Sequence, residues 1–322
     1  MAAPFFIVGC GRSGTTQLRT MLDQHPQIGV PLESLFIVDY LKASDRVPLE
    51  RMKRLILREH ELRHDWEIKP THADIAGCAT IEEVIVRLHH IYGAGKAHWG
   101  QKTPRFVRDL DLLAERFPDA RFVHMIRDPR GVAASLKESP VHQSPVKYGA
   151  ARWAYDVQCG LEFKNKAPER YLEVRFEAFA ADPRAVVGEV CEFIGIEPAP
   201  EMFEVREVKG FKKKFFRTVH RRVGGNVRSD RADAWRESLT EAEIATVEAG
   251  VSELMQELGY QPEGNGRPLP ELYSAGDRAL RAVLQGAHYM LHRPGYLPCV
   301  VSRKVQLGLW PREALNLRAL NR

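Results

Sequence analysis

Eight residues near the amino end, Gly9-Cys10-Gly11-Arg12-Ser13-Gly14-Thr15-Thr16, have the types and spacing of an anion site. Two glycines with four residues between them stand where an apolar run gives way to a helical pattern. Backbone N–H groups of such a loop, and the positive end of the helix it opens, converge on one anion. The spacing is that of a Walker phosphate loop, but Thr15 stands where that loop carries lysine, and the cation, Arg12, comes earlier. A nucleoside triphosphate needs the lysine and Mg²⁺ to offset charge on its β- and γ-phosphates. An anion with less charge at its transferring end could be held by loop N–H groups, two hydroxyls and one cation. The competing reading is a glycine loop that only turns a strand into a helix.

A second candidate is Arg127, in Arg127-Asp128-Pro129-Arg130, with Ser135 about two helical turns beyond it. An arginine at the carboxyl end of a strand and a serine on the helix entered from that loop can hold one phosphate between guanidinium and hydroxyl. Ligands of open α/β sheets bind at those strand ends. The alternative is that Arg127 pairs with Asp128 or caps a carbonyl.

The elements that must position these residues can be read from apolar periodicity. Phe5-Phe6-Ile7-Val8 is a continuous apolar strand of the kind buried on both faces. Leu18, Met21 and Leu22 follow at helical spacing, and His25-Pro26 ends that helix. Residues 47–92 read mainly as helices, and Arg108 to Arg116 continues helically. Arg121 to Ile126 is a second strand followed by a helix from Gly131, and Tyr171 to Phe176 is a third strand. A helix over Arg184 to Ile194 has Gly195 as its C-cap, and Thr240 with Glu243 forms a capping box. Strands separated by helices at this spacing predict a parallel sheet with crossovers. Lys209 to Arg231 is basic and glycine-punctuated; 261–270 reads as a linker, and helical spacing returns at Leu280, Val283 and Leu284.

Composition bounds the function. At 322 residues, 44% hydrophobic and 28% charged, the chain has room for one large α/β domain with an appendage. A net charge of +5 suits anionic ligands and falls short of a nucleic-acid binder. Cys10, Cys78, Cys159, Cys191 and Cys299 are scattered with no CxxC pair, which predicts reduced, mostly packed thiols and no zinc site. The first apolar run lacks the length and charged flank of a signal peptide, and no run reaches membrane-spanning length, so the expected location is cytoplasmic.

Gly11-Arg12-Ser13-Gly14-Thr15-Thr16 resembles the 5′-phosphosulfate loop of sulfotransferases that use 3′-phosphoadenosine 5′-phosphosulfate (PAPS). It is similar to the Arg-Ser-Gly-Thr-Thr version of the tyrosylprotein and many bacterial members. The resemblance implies that Arg12, Ser13, Gly14, Thr15 and Thr16 grip the phosphosulfate, and that Arg127 and Ser135 bind the 3′-phosphate. A further family cation would fall at Ser139, with Lys137 and Arg130 as nearby substitutes. Glu33 aligns with the general base of the tyrosylprotein and heparan-type members. Lys102, in Lys102-Thr103-Pro104, resembles the lysine that neutralises the leaving group, and Arg12 shares that catalytic role. Cytosolic members use a histidine base, for which His98 and His124 are the alternatives, although His124 sits mid-strand and packs. Phe176 stands where the family has a tyrosine at the nucleotide, beside Arg175 and Glu177, a structural ion pair in the competing reading. Arg228 and Arg231, ahead of Trp235, are candidates for a further 3′-phosphate contact.

The expectation is therefore an α/β, P-loop-like three-layer fold with a central parallel β-sheet flanked by helices and a helical C-terminal extension. Its units would be a 1–260 sulfotransferase domain and a 261–322 extension, in which Leu307, Leu309 and Trp310 pack, with a membrane-surface helix or an oligomer contact as the alternatives. The expected reaction is sulfuryl transfer from PAPS to a hydroxyl or amine, giving adenosine 3′,5′-bisphosphate (PAP), with no metal. The acceptor could be a small molecule, carbohydrate, lipid or peptide; nucleic acid is not expected, and an oligomer is compatible. The alternatives are a P-loop phosphotransferase, acting on a nucleotide or small molecule, and a non-catalytic nucleotide-binding protein.

Overall fold

In the computed structural model the described residues are 3–139, 142–204, 231–269, 286–287, 290–291 and 293–310. Five strands, β1 (Phe5–Gly9), β2 (Ile28–Gly29), β3 (His98–Lys102), β4 (Arg121–Ile126) and β5 (Tyr171–Arg175), form one sheet in the order β2-β3-β1-β4-β5. Every pairing is parallel: Phe5 stands opposite Gly100 and Arg121, Phe122 opposite Tyr171, and Ile28 opposite His98.

The helices of the amino-terminal half are α1 (Thr15–Asp23), α2 (Phe36–Ala43), α3 (Leu49–Ile56), α4 (His60–His64), α5 (His72–Ile75), α6 (Ile81–Gly93) and α7 (Leu110–Arg116). They are followed by α8 (Pro129–Lys137), α9 (Val146–Lys166), α10 (Phe176–Ala181) and α11 (Pro183–Ile194). The last described helices are α12 (Trp235–Ser238), α13 (Glu241–Glu257) and α14 (Tyr296–Gln306).

The two-residue period of a strand makes the three layers. Phe6 and Val8 enter the core shared with α2 and α6, while Phe5 and Ile7 enter the core shared with α1 and α11. A further apolar cluster joins α8, α9 and α13 around Trp153 and Trp235. The α/β expectation and its parallel sheet hold. Two strands were not readable, because β2 is two residues long and β3 (His-Trp-Gly-Gln-Lys) lacks the β-branched signature. Gly100 in β3 is required by packing: a Cβ there would lie 2.3 Å from the Phe5 ring.

Gly195 caps α11 in the left-handed conformation, and Thr240 and Glu243 form the capping box of α13. The five cysteines are free thiols; Cys10 and Cys191 are buried and the other three half-buried. The stretch after Tyr260, read as a linker, is pinned to α13: Glu263 and Gly264 N–H groups donate to the Glu248 carboxylate at 2.9 and 2.8 Å. The helical extension docks through α14, whose Arg303 is buried against Asp39, Glu59 and Glu61. Leu307 and Leu309 pack as expected, whereas Trp310 is 45% exposed. Among the described residues no helix is long and apolar enough to cross a membrane. No group of three or more His, Cys, Asp or Glu side chains converges there in a metal-holding arrangement.

Candidate active site

The carboxyl ends of the five strands bring the sequence candidates to one edge of the sheet. In sheet order they deliver Glu33 after β2, Lys102 at the end of β3, Arg12 after β1, Arg127 after β4 and Phe176 after β5. This is the edge where open parallel sheets bind ligands.

The glycine loop is built for close approach. Gly14 has φ +90°, and a Cβ there would lie 2.5 Å from the Phe176 ring, so neither side chain nor ordinary backbone fits. Arg12 also has positive φ, 78°. Ser13 N–H turns back to the Cys10 carbonyl at 3.3 Å, while those of Gln17 and Leu18 turn back to the Gly14 carbonyl. The N–H groups of Gly14, Thr15 and Thr16 meet no backbone acceptor among the described residues, as expected at a helix start. Ser13 is fully buried, and its Oγ has no hydrogen-bond partner among the described residues.

The two anion motifs are directly joined. Arg12 Nε donates to Ser135 Oγ at 2.9 Å, and Arg127 Nη1 donates to the Arg12 carbonyl at 3.1 Å. Arg127 does cap carbonyls, its Nη2 reaching that of Arg231 at 2.9 Å, and it leaves Asp128 to Arg130. Its guanidinium lies 4.3 Å from the Phe176 ring centroid, so a cation–π contact links the β4 and β5 ends. Burial pulls the Arg127 pKa down to about 10, against the opposing pull of Glu177 and Asp128, so the group stays cationic at neutral pH. Its Nε is buried and without a partner among the described residues. A buried, charged N–H donor and a buried hydroxyl left open at one edge fit an anionic ligand.

Lys102 ties the loop to Glu33. Its buried Nζ donates to Glu33 Oε1 at 2.6 Å and to Thr16 Oγ1 at 3.2 Å. Burial lowers the Lys102 pKa; Glu33 raises it, and the charges of Arg19 and Arg12 lower it further. The Glu33 side chain is 46% exposed, open to a second reactant.

Residues that sequence reasoning missed hold this pair in place. Gln101 Nε2 donates to Thr103 Oγ1 at 3.0 Å and to the Leu32 carbonyl at 3.3 Å, and Ser34 N–H donates to Thr103 Oγ1 at 3.1 Å. Trp66 Nε1 donates to the same Leu32 carbonyl at 3.0 Å, and His89 Nε2 lies 3.0 Å from Gln101 Oε1. The segment carrying Glu33 is thus stapled to the strand carrying Lys102. Arg19, fully buried on α1, donates to the Val30 carbonyl at 2.6 Å and to Tyr92 Oη at 2.8 Å, fixing the start of that segment. Thr103 was visible within Lys-Thr-Pro; Gln101, His89 and Trp66 carried no motif.

Several candidates stand elsewhere. Arg130 is locked against Asp128 and Glu248 at 2.7 and 2.8 Å and stacked 4.0 Å from the Trp235 ring centroid, and Lys137 pairs with Glu243 at 2.8 Å. Both are engaged in ion pairs with carboxylates of α13. Ser139 is buried with its Oγ 3.0 Å from His142 Nδ1. Arg175 pairs with Glu173, not Glu177, and Glu177 receives Asp128 N–H at 2.9 Å and Tyr260 Oη at 3.0 Å. His98 opens β3, so four residues, roughly 13 Å of strand, separate it from Lys102. His124 is buried mid-strand against Tyr171 Oη at 2.5 Å, as its position predicts. Arg228 lies outside the described residues.

Several known proteins are similar to this chain in sequence or in fold. Protein-tyrosine sulfotransferase A of Caenorhabditis elegans is 25% identical over 309 residues, 89% of this chain and 74% of that protein. Nodulation protein NoeE of Sinorhizobium fredii is 26% identical over 293 residues, 80% of this chain and 65% of that protein. The sulfotransferase domain of the Synechococcus PCC 7002 olefin synthase has the same fold at 19% identity (TM-score 0.58, covering 81% of this chain and 95% of that one). So does the sulfotransferase domain from the curacin biosynthetic pathway, also at 19% identity (TM-score 0.61, covering 82% and 99%). The profile of the sulfotransferase family matches residues 4–201, a span that contains the loop, Glu33, Lys102, Arg127 and Ser135. With its motifs gathered at one sheet edge and that profile covering more than half its length, the chain belongs to the sulfotransferase family.

Proposed function

We propose that the protein transfers the sulfuryl group of PAPS to an acceptor hydroxyl or amine, with PAP as the second product. The observation that carries this reading is Lys102 Nζ lying between Glu33 Oε1 and Thr16 Oγ1, a base and a cation meeting at an anion loop. The open Ser13 Oγ and Arg127 Nε fit a donor with anionic groups at two places. Arg12, Ser13, Gly14, Thr15 and Thr16 would hold its 5′-phosphosulfate. Arg127 and Ser135 would hold its 3′-phosphate, and Phe176 would pack beside the nucleotide.

PAPS supplies an electrophilic sulfuryl group whose S–O bond to the 5′-phosphate breaks as a new S–O or S–N bond forms to the acceptor. Glu33 takes the proton released by the acceptor. Lys102 and Arg12 offset the negative charge that gathers on the 5′-phosphate oxygen, which needs no rearrangement because both cations already stand at the loop. The C. elegans relative is named for protein-tyrosine sulfation, which brings a tyrosine hydroxyl into the acceptor range.

Thermal shift with PAP against ATP–Mg²⁺ tests the donor, and ³⁵S transfer from labelled PAPS to an acceptor panel tests the reaction. Stabilisation by PAP alone and label on an acceptor are the expected results. Stabilisation only by ATP–Mg²⁺ would overturn the reading.

A further inference from the structure

Helix α14 has its charges on the inside and its apolar side chains on the outside. Arg303 is buried against Asp39, Glu59 and Glu61, and Lys304 Nζ is held by Asp39 at 2.8 Å. Each residue of a helix is turned by about 100° from the last, so Val301 and Val305, both two residues from Arg303, stand on the opposite face. They are 45% and 54% exposed, and Pro298 and Ser302 are exposed beside them. Trp310 is exposed just past the end of the helix, and Met290 and Leu291 are exposed just ahead of it. Of the seven large apolar side chains exposed among the described residues, five thus belong to one stretch of chain, 290–310. A surface helix in water has the reverse arrangement, and single exposed apolar residues are ordinary where such a group is not.

The charges around α14 are sorted by sign. Beneath it Asp39, Glu59, Glu61 and Asp65 are buried, and Arg303, Lys304 and Arg293 are drawn inward to them. Outside stand cations. Arg51, Arg54 and Arg58, at three- and four-residue spacing along α3 and the turn after it, are exposed, as is Arg63 on α4. Glu50, the one acid of α3, is engaged by Lys53 at 2.8 Å. This basic row reaches α14 itself. The Cys299 thiol donates to the Arg58 carbonyl at 3.9 Å, and the His60 and Tyr296 rings meet edge to face at 5.6 Å.

An apolar strip beside a row of arginines matches the surface of an anionic bilayer. The strip can enter the acyl boundary while the guanidinium groups meet headgroup phosphates, and a tryptophan suits the headgroup level. A second copy of the chain matches it less well. A two-fold interface sets one patch against itself, which would bring the two arginine rows together.

We propose that the outer face of α14, with Trp310 and the neighbouring Arg54, Arg58 and Arg63, docks the protein onto an anionic phospholipid surface. At eleven residues the helix is too short to span a bilayer and would lie in its plane. The buried Arg303 contacts hold it from rolling, so the same face is always presented. The proposal is independent of the reaction assigned above.

The test is co-flotation of the full chain with vesicles of phosphatidylcholine, alone or mixed in equal parts with phosphatidylglycerol. Flotation with the mixed vesicles only, weakened by added salt, is the expected result. The combined variant Val301→Ser, Val305→Ser, Trp310→Ser should lower binding by at least about tenfold. Arg54→Gln, Arg58→Gln and Arg63→Gln should each lower it by about fivefold. All these substitutions are on exposed positions and should leave Tm unchanged. No flotation, equal flotation with both vesicles, or binding retained in the combined variant would overturn the proposal. A dimer in sedimentation velocity that the combined variant loses would give this face to a second copy and overturn it. A Tm several degrees lower in that variant would mean that another segment of the chain covers the face, and would overturn it as well.

Discussion

Lys102 Nζ lies 2.6 Å from Glu33 Oε1, so a buried cation and the candidate base share a proton-sensitive contact before any reactant arrives. Replacing Glu33 with Gln keeps the shape and removes the charge. PAP affinity should stay within about twofold, while transfer falls by roughly 10²–10⁴, the usual worth of a general base. The Lys102 pKa, already lowered by burial, should fall further without Glu33 to raise it. The alkaline limb of residual activity, where Lys102 loses its proton, should then move to lower pH. Normal turnover in Glu33→Gln would remove it as base; an unmoved limb would show that another group titrates there.

Arg127 stands on two carbonyls and a phenylalanine ring with one N–H left open, an arrangement suited to a phosphate. Arg127→Ala should weaken PAP by about 10- to 100-fold, from charge-assisted hydrogen bonds worth about 1.5–3 kcal/mol. AMP, which lacks the 3′-phosphate, should be affected far less. Titrations of both nucleotides decide this, and an equal loss for the two would assign Arg127 a purely structural role.

The loop, Arg127 with Ser135, and the apolar strands β1 and β4 were legible because each is short-range: fixed spacing in one segment predicts one local shape. Glu33 and Lys102 were singled out by resemblance, but their contact spans 69 residues and no local pattern encodes it. β3 stayed hidden because its Gln101 and Lys102 are polar yet buried, satisfied by partners from other segments. The partners of Arg130 were hidden for the same reason, since Glu248 and Trp235 reach it from more than 100 residues away.

Gln101 is where this hidden order can be probed. Gln101→Leu has similar volume but removes one of two donors from the Leu32 carbonyl and from Thr103 Oγ1, and leaves the buried His89 Nε2 without its partner. Stability should drop by about 1–3 kcal/mol, the cost of buried polar groups left unmatched. Because Trp66 still holds Leu32, the chain should fold, with transfer reduced and PAP affinity kept. Denaturant unfolding and PAP titration check the two halves; unchanged transfer would show that Glu33 needs no staple.

Acid sensitivity should come from two buried histidines. Burial pushes His89 and His124 down to about 4, so both are neutral in the fold at pH 7, while unfolded histidine titrates near 6.5. Between those values the unfolded chain binds more protons, so stability falls as pH drops from about 6.5 toward 4. Each site accounts for about 3 kcal/mol when the drop is complete. Urea midpoints across this range should fall, and less steeply in His124→Gln; equal slopes would place the effect elsewhere.

Arg303 supplies the last prediction, because it carries the C-terminal helix into the body of the fold. It is buried between Asp39 at 2.8 Å and Glu59 at 2.5 Å, with Glu61 at 3.6 Å. Arg303→Met would leave Glu59 and Glu61 buried without their main cation, while Asp39 keeps Lys304 Nζ at 2.8 Å, and should cost about 3–5 kcal/mol. The deficit should depend on pH. Burial lifts Glu59 to about 7 even while Arg303 pulls it down, so loss of Arg303 raises it further. A carboxyl whose folded pKa is raised binds more protons folded than unfolded, so stability is lost as pH rises through that window. The variant should therefore lie nearer the wild type at pH 5, where Glu59 can protonate, than at pH 8. Equal deficits at both values would mean that lost packing, not stranded charge, is what Arg303 prevents.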